Sequence, residues 1–241
     1  MPDDLAPSNL GEVMGRLARS LHEEHGDVAG TLEAITAAAV RSVPGTDECG
    51  LSLVTGRRQV QSRAPTGDLP RIVDGIQERL AEGPCLSAVY EETTVRVPDL
   101  RTEQRWPRFA AEVVDLGVGS MLSFQLFVTG GNLGALNLYS GRPHSFDEEA
   151  EAIGVVFASH AAVALAGAQQ EERMRTAMTS REVIGQAQGI LMERFRLTGP
   201  QAFQVLARAS SHTNRKVADI AEELTATGDL PGLDRRELGR P

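Results

Sequence analysis

Arg215 and Lys216 are the residues of this 241-residue chain whose types and spacing most directly offer chemistry. They follow the polar run Ser211-His212-Thr213-Asn214 and precede the apolar pattern of a helix, so two cations stand at a helix amino end. Backbone N–H groups there favour phosphate, whereas the cations themselves oppose the helix dipole. A placement that weakens the helix while concentrating positive charge points to an anionic partner. Arg181, Arg194 and Arg208 extend the candidate phosphate-facing surface, although one narrow helix cannot present all five on one side. Ser210, His212 and Asn214 are short polar groups near the same turn, suited to unpaired base edges or to capping. Ala187 and Gly189, flanking Gln188, are small enough for a nucleic-acid backbone or a neighbouring helix to come close. No Trp or Tyr occurs between residues 180 and 224, so stacking of bases on such rings is not the expected mode.

Upstream the chemistry is sparser. Cys85, after Gly83-Pro84, reads as a small buried hydrophobe or a ligand-contacting thiol. Trp106, Phe109 and Tyr139 join it as a candidate ligand pocket, or else fill the core. Cys49 and Cys85, the two cysteines, make neither a disulfide framework nor a four-ligand metal site. His22 and His25 lack further ligands, so no metal is expected. Lys216 is the sole lysine, which excludes a phosphate-binding loop and upstream Schiff-base chemistry and argues against a phosphoacceptor receiver domain. Gly117-Val118-Gly119 and Gly130-Gly131 are turns rather than dinucleotide fingerprints. No nucleophile–base–acid set has a spacing that demands catalysis, so the chain is read as a non-enzyme without a resident cofactor.

Charge supports a partner confined to one end. Residues 1–172 hold 13 Arg against 25 acids, a net −12, while residues 173–241 carry a net +3. A basic segment behind an acidic one suits an anion at the carboxy-terminal side, though an excess of three is modest. Hydrophobic content of 41% with 24% charge is that of a soluble globular protein. No apolar run approaches the ~20 residues needed to span a bilayer, and MPDDLAPSNL lacks the apolar core of a secretion signal. A cytoplasmic location without membrane attachment is expected.

The elements that must hold these residues read as α+β. Val13, Leu17 and Leu21, then Val28, Leu32, Ile35 and Ala39, predict two amphipathic helices split near His25-Gly26-Asp27. Cys49–Val54 and Gln59–Ala64 read as strands; Ile72, Ile76 and Leu80 mark a short helix that stops at Gly83-Pro84. Thr94–Val97 is a short strand, Arg105–Phe109 opens a helix ending near Leu116-Gly117, and Ser120–Val128 with Leu133–Tyr139 forms a hairpin. From Phe146 to Phe195 there is no proline, which predicts one long helix of ~70 Å, with Met174 and Met178 on an apolar stripe, or else two helices broken near Gly167 or around Glu171-Glu172-Arg173. A helix of that length pairs with a second copy. Thr198 and Gln201 form a capping box for the next helix, which buries Ala202, Phe203, Leu206 and Ala209. Thr213 or Asn214 caps the last one, which buries Val217, Ile220, Ala221 and Leu224.

Ile184–Met192, Ala202-Phe203, Leu206, Ala209-Ser210, Asn214-Arg215-Lys216 and Asp219-Ile220-Ala221 together closely resemble the ANTAR domain. That family is a three-helix RNA-binding output of transcription antitermination, and the match spans Arg181 to Leu224. A lysine common in the family's motif is Gln188 here, which puts a phosphate contact at that position in question. Upstream, Glu82-Gly83-Pro84-Cys85, Val97–Leu100, Arg105–Phe109, Gly117-Val118 and Gly134–Tyr139 are similar to a GAF domain of the kind fused to ANTAR modules in actinobacteria. GAF domains sense small molecules or dimerise, and the identity of the ligand does not carry over.

The resemblance implies a GAF-type antiparallel sheet with flanking helices over residues 10–168, and an all-α module over 169–226 whose first helix continues a linker coiled coil. Residues 227–241 are expected to be a disordered tail. The implied function is a dimeric regulator that binds stem-loops in nascent mRNA, with an unknown small molecule as signal. Two other readings stand beside it. One is a helix-turn-helix DNA-binding regulator, against which Asp219, Glu222 and Glu223 would face a groove badly. The other is a thiol-based sulfoxide reductase in the GAF-like part, which would need more than one suitably placed cysteine.

Overall fold

The computed structural model describes residues 27–55, 59–91, 93–129 and 131–232, together with residue 15. The first expected helix, with His22 and His25, and the tail from residue 233 lie outside the described residues. Two compact units divide the chain at Gln170/Glu171.

In the first unit, α1 (Val28–Ser42) begins at Asp27, whose carboxylate accepts the N–H groups of Ala29 and Gly30 at 3.0 and 3.1 Å. This satisfies two of the donors that a helix start leaves open. There follow β1 (Glu48–Thr55), β2 (Gln59–Arg63), α2 (Asp68–Leu80), α3 (Pro84–Tyr90), β3 (Thr94–Val97), a 3₁₀ turn (Leu100–Thr102), α4 (Pro107–Val114), β4 (Ser120–Val128), β5 (Gly131–Ser140) and α5 (Glu148–Phe195). The strands pair antiparallel in the order β2-β1-β5-β4-β3.

Period-two alternation sorts the strand residues onto two faces. Cys49, Leu51, Leu53, Leu122, Phe124, Leu126, Leu136 and Leu138 face a core shared with α1 and α5. Met121, Tyr139 and Val97 face a second core with α2 and α4, while Val95 and Ala135 meet α3. On that second face Gly50, Ser52 and Asn137, small or polar, alternate with the large residues of the first. Gly154 fixes the fit on the first face: a Cβ there would lie 2.2 Å from the Phe124 ring.

Three details differ from the sequence reading. The buried side of α2 is Pro70, Val73, Ile76 and Gln77, leaving Ile72 45% exposed, because tertiary packing selects a different stripe. The helix α3 was not expected at all. The apolar-run argument also needs correcting: part of α5 reaches a mean hydropathy of 1.6 over 18 residues, long and apolar enough to cross a membrane. Ser159 and His160 interrupt the run but its average stays apolar, and Phe157, Ala158, Ala161, Ala162 and Leu165 pack into the sheet core, so it reads as a core helix.

The second unit gathers the last turns of α5, α6 (Gly199–Thr213) and α7 (Val217–Thr227) around Ala187, Leu191, Val205, Leu206, Ile220 and Leu224. Gln201 Oε1 accepts the Thr198 N–H at 2.9 Å and its hydroxyl at 2.8 Å, the reciprocal half of the expected capping box. The α5 helix is continuous over 48 residues and contributes to both units.

Candidate nucleic-acid interface and ligand cavity

The basic residues of the second unit separate into groups once their partners are known. Lys216 is the N-cap of α7, exposed, with no side-chain cap bond. Arg215 is also exposed, but its guanidinium pairs with Glu223 at 2.6 Å, two turns along the same helix. Arg194 is fastened to the Gly228 carbonyl at the far end of α7, about 16 Å from Lys216 for an eleven-residue helix. Among the described residues Arg181, Arg208 and Lys216 are exposed and enter no ion pair, and Arg196, absent from the sequence-based set, is exposed in the left-handed turn after α5.

The small and polar candidates have mostly structural duties. Asn214 adopts φ 53° and caps α6 through its N–H to the Ser210 carbonyl, so it ends one helix rather than starting the next. Asn tolerates that left-handed geometry. The Ser210 hydroxyl donates to the Arg215 carbonyl and holds the turn closed. Ala187 is fully buried in the three-helix core and offers no contact surface. Gln188 donates to the Gly199 carbonyl at 3.0 Å, tying α5 to the start of α6. Gly189 is exposed, with open space where a Cβ would stand.

Phe203 reverses an expectation. The α6 core is Ala202, Val205, Leu206 and Ala209, a regular helical stripe, and Phe203 falls one position off it with 45% of its surface exposed. An aromatic ring on the outside of this small unit is a contact surface that the sequence reading had assigned to the core. Asp219 and Glu222 are exposed on α7, the helix that would have to enter a DNA groove.

In the first unit a cavity of about 640 Å³ opens between β1, β2, α2 and α3. Cys85 and Trp106 are on its wall. Phe109 is not; it is fully buried in the core between α4 and the sheet. Tyr139 is buried behind the wall and reaches it through its hydroxyl, which donates to Asp74 at 3.3 Å. Asp74, which the sequence reading passed over, is the centre of the site. It accepts from Ser52 Oγ at 3.1 Å and Gln77 Nε2 at 3.4 Å, and Asn137 supports Ser52 at 2.8 Å. Burial pushes the Asp74 carboxyl up to about 6 despite these donors. Gly83, at φ 138°, leaves room for Gln77, whose Oε1 accepts the Cys85 N–H at 2.9 Å; a Cβ at 83 would sit 2.3 Å from that oxygen. Burial, reinforced by the Asp74 charge, pushes the Cys85 thiol up to about 12, and the same causes raise Cys49 further. Neither is a thiolate nucleophile at neutral pH.

A family model of the GAF domain matches residues 25–166, and one of the ANTAR domain matches residues 172–224. The chain belongs to the GAF family and carries an ANTAR domain after it. The ANTAR domain makes it an RNA-binding antitermination regulator, with the GAF domain as sensor. Solved structures similar to it include the GAF domain from an Acinetobacter phosphoenolpyruvate-protein phosphotransferase, 15% identical over 67% of this chain and 95% of that one, with a TM-score of 0.50. The reduced form of fRMsr of Staphylococcus aureus is 16% identical over 65% and 95% of the two chains, at 0.51. The photosensory core module of a Stigmatella aurantiaca phytochrome is 10% identical over 87% of this chain and 46% of that one, at 0.55. At such identities these likenesses show the GAF fold alone. No curated protein matches the chain.

Proposed function

We propose that the chain is a cytoplasmic, homodimeric, non-catalytic regulator whose ANTAR domain holds stem-loops of nascent mRNA under control of the GAF cavity. The observation that carries the RNA-binding face is the group of exposed cations that enter no ion pair among the described residues, Arg181, Arg196, Arg208 and Lys216 among them, on a three-helix unit that coincides with the ANTAR match. Arg215, neutralised by Glu223 in the free protein, exchanges that carboxylate for a phosphate. Phe203 supplies an apolar ring for an unpaired base. The exposed acids Asp219 and Glu222 disfavour the helix-turn-helix alternative, because they would meet the phosphates that flank a DNA groove. Dimerisation is supported by Met174 and Met178, 53% and 72% exposed on α5, which a second copy would cover. Two RNA surfaces in one assembly would bind tandem stem-loops more tightly than single ones through effective concentration. Cys85, held as a neutral thiol, is ill suited to reductase chemistry.

The test is binding of the full chain to tandem stem-loops across a salt series. Replacing Arg215 and Lys216 together with Ala should weaken binding and lower the slope of log K against log salt by about one to two. Preference for duplex DNA over the stem-loops, or a slope unchanged in the double variant, would overturn the reading.

A further inference from the structure

The charge on the wall of the GAF cavity is one-sided. Among the described residues, Asp74, Glu78, Glu82 and Glu91 line it against a single cation, Arg71, which is itself paired with Asp68 at 2.8 Å. Glu82 shares one oxygen with Arg108, and its other oxygen is buried without a hydrogen-bond partner. Asp74 is the most enclosed of the four. Its three donors, Ser52, Gln77 and Tyr139, are all neutral, and no cation among the described residues pairs with it. A carboxylate offers about four acceptor positions, so capacity remains on the side that faces the cavity. Ser62 Oγ, on the same wall, is buried beside Asp74, near enough to favour its charged form but without a partner at full hydrogen-bond distance. A buried carboxylate without a counter-charge is disfavoured unless something supplies one, and burial indeed raises its affinity for a proton.

Resting on the reading of this domain as the sensor, we propose that the cavity takes a small organic cation, an amine, guanidine or amidine. Its charged end is held by Asp74 with Ser62, and its apolar part lies along Trp106 and Leu86. A phosphate-bearing ligand fits badly: it would meet four carboxylates, and the Cys85 N–H at the start of α3 is already taken by Gln77. The volume of about 640 Å³ lies in the range of ligand pockets, roomy enough for a charged group carrying a ring.

Benzamidine, benzylamine and agmatine serve as probes, with benzamide, benzyl alcohol and benzoate as neutral and anionic counterparts. Calorimetric titration of the full chain should show binding of at least one cation at millimolar concentration or tighter, and none of benzoate. Asp74→Asn should weaken that binding by about tenfold or more, and Ser62→Ala more mildly, with circular dichroism confirming that both variants are folded. Stem-loop affinity measured on the same samples separates the two claims: cation binding with unchanged RNA affinity supports the ligand class and removes the coupling to output. Benzoate binding as well as the cations, no binding by any of the three cations, or cation binding unaffected in folded Asp74→Asn overturns the proposal.

Discussion

Replacing Asp74 with Asn should make the GAF domain more stable at neutral pH and remove a pH dependence that the wild type shows. The carboxyl is raised from 3.8 to about 6, so the folded state holds its proton more tightly than the unfolded chain. Between these values the folded state binds more protons, and stability falls as pH rises through the window. At 1.36 kcal/mol per pH unit, the wild type is less stable above pH 6 by about 3 kcal/mol than it would be with the group neutral. Asn keeps the shape without the charge: its oxygen can accept from Tyr139 and Gln77, while its amide faces Ser52, whose hydroxyl can accept instead of donating. At pH 7 its melting temperature should therefore be higher, by up to about 6–12 °C at 2–4 °C per kcal/mol. Near pH 4, where Asp74 is protonated in the folded protein, the two proteins should converge. Trp106 is the only tryptophan in the chain, and its fluorescence follows this domain without interference from the other. The other groups facing the cavity are the same in both proteins and drop out of the difference. Tyr139, Cys49 and Cys85 stay neutral throughout, since burial and the Asp74 charge raise all three. A difference between the proteins that is constant from pH 4 to 7, or a variant less stable than wild type at pH 7, would refute the reasoning.

Glycine substitutions along α5 should split by position. Gly154→Ala forces a Cβ to within 2.2 Å of the Phe124 ring and should destabilise by about 1–3 kcal/mol through overpacking. Gly185→Ala, with open space around it, should gain up to about 1 kcal/mol of helix propensity; thermal melts of both check the contrast. Phe203→Ala should leave stability within about 1 kcal/mol yet weaken stem-loop binding by about 1–3 kcal/mol if a base stacks there, read by filter binding beside a melt. If the proposed dimer forms through α5, Met174→Glu with Met178→Glu should yield a monomer in sedimentation equilibrium where the wild type is dimeric, and a wild type that sediments as a monomer removes the proposal.

The hairpin β4–β5 and the strand β1 were legible in the sequence because each alternates on a face whose partners are equally apolar. The α3 helix was not, since seven residues give too little periodicity and Pro84 reads as a stop as easily as a start. Asp74 was invisible for another reason. It stands on a short amphipathic helix where an acid looks solvated, and its burial depends on Ser52 and Tyr139, 22 and 65 residues away. At the RNA-binding end, the sequence located the turn between α6 and α7 but misjudged its parts. Composition cannot tell that Glu223 reaches back to Arg215, nor that Asn214 closes one helix instead of opening another. Phe203 was assigned to the core by residue type, whereas the phase of the α6 stripe places it outside.

Lys216 has a practical corollary beyond RNA. It is the chain's only lysine and is exposed and unpaired in the ANTAR domain, just as Trp106 is the only indole and belongs to the GAF cavity. An amine-directed acylating reagent would therefore mark the side chains of this protein at a single position, on the proposed RNA face. Protection of that one amine by a bound stem-loop is a footprint readable by mass spectrometry, while the indole emission reports ligand entry. The native sequence thus carries an orthogonal reporter in each domain, and signal and output can be followed in one sample without an engineered label.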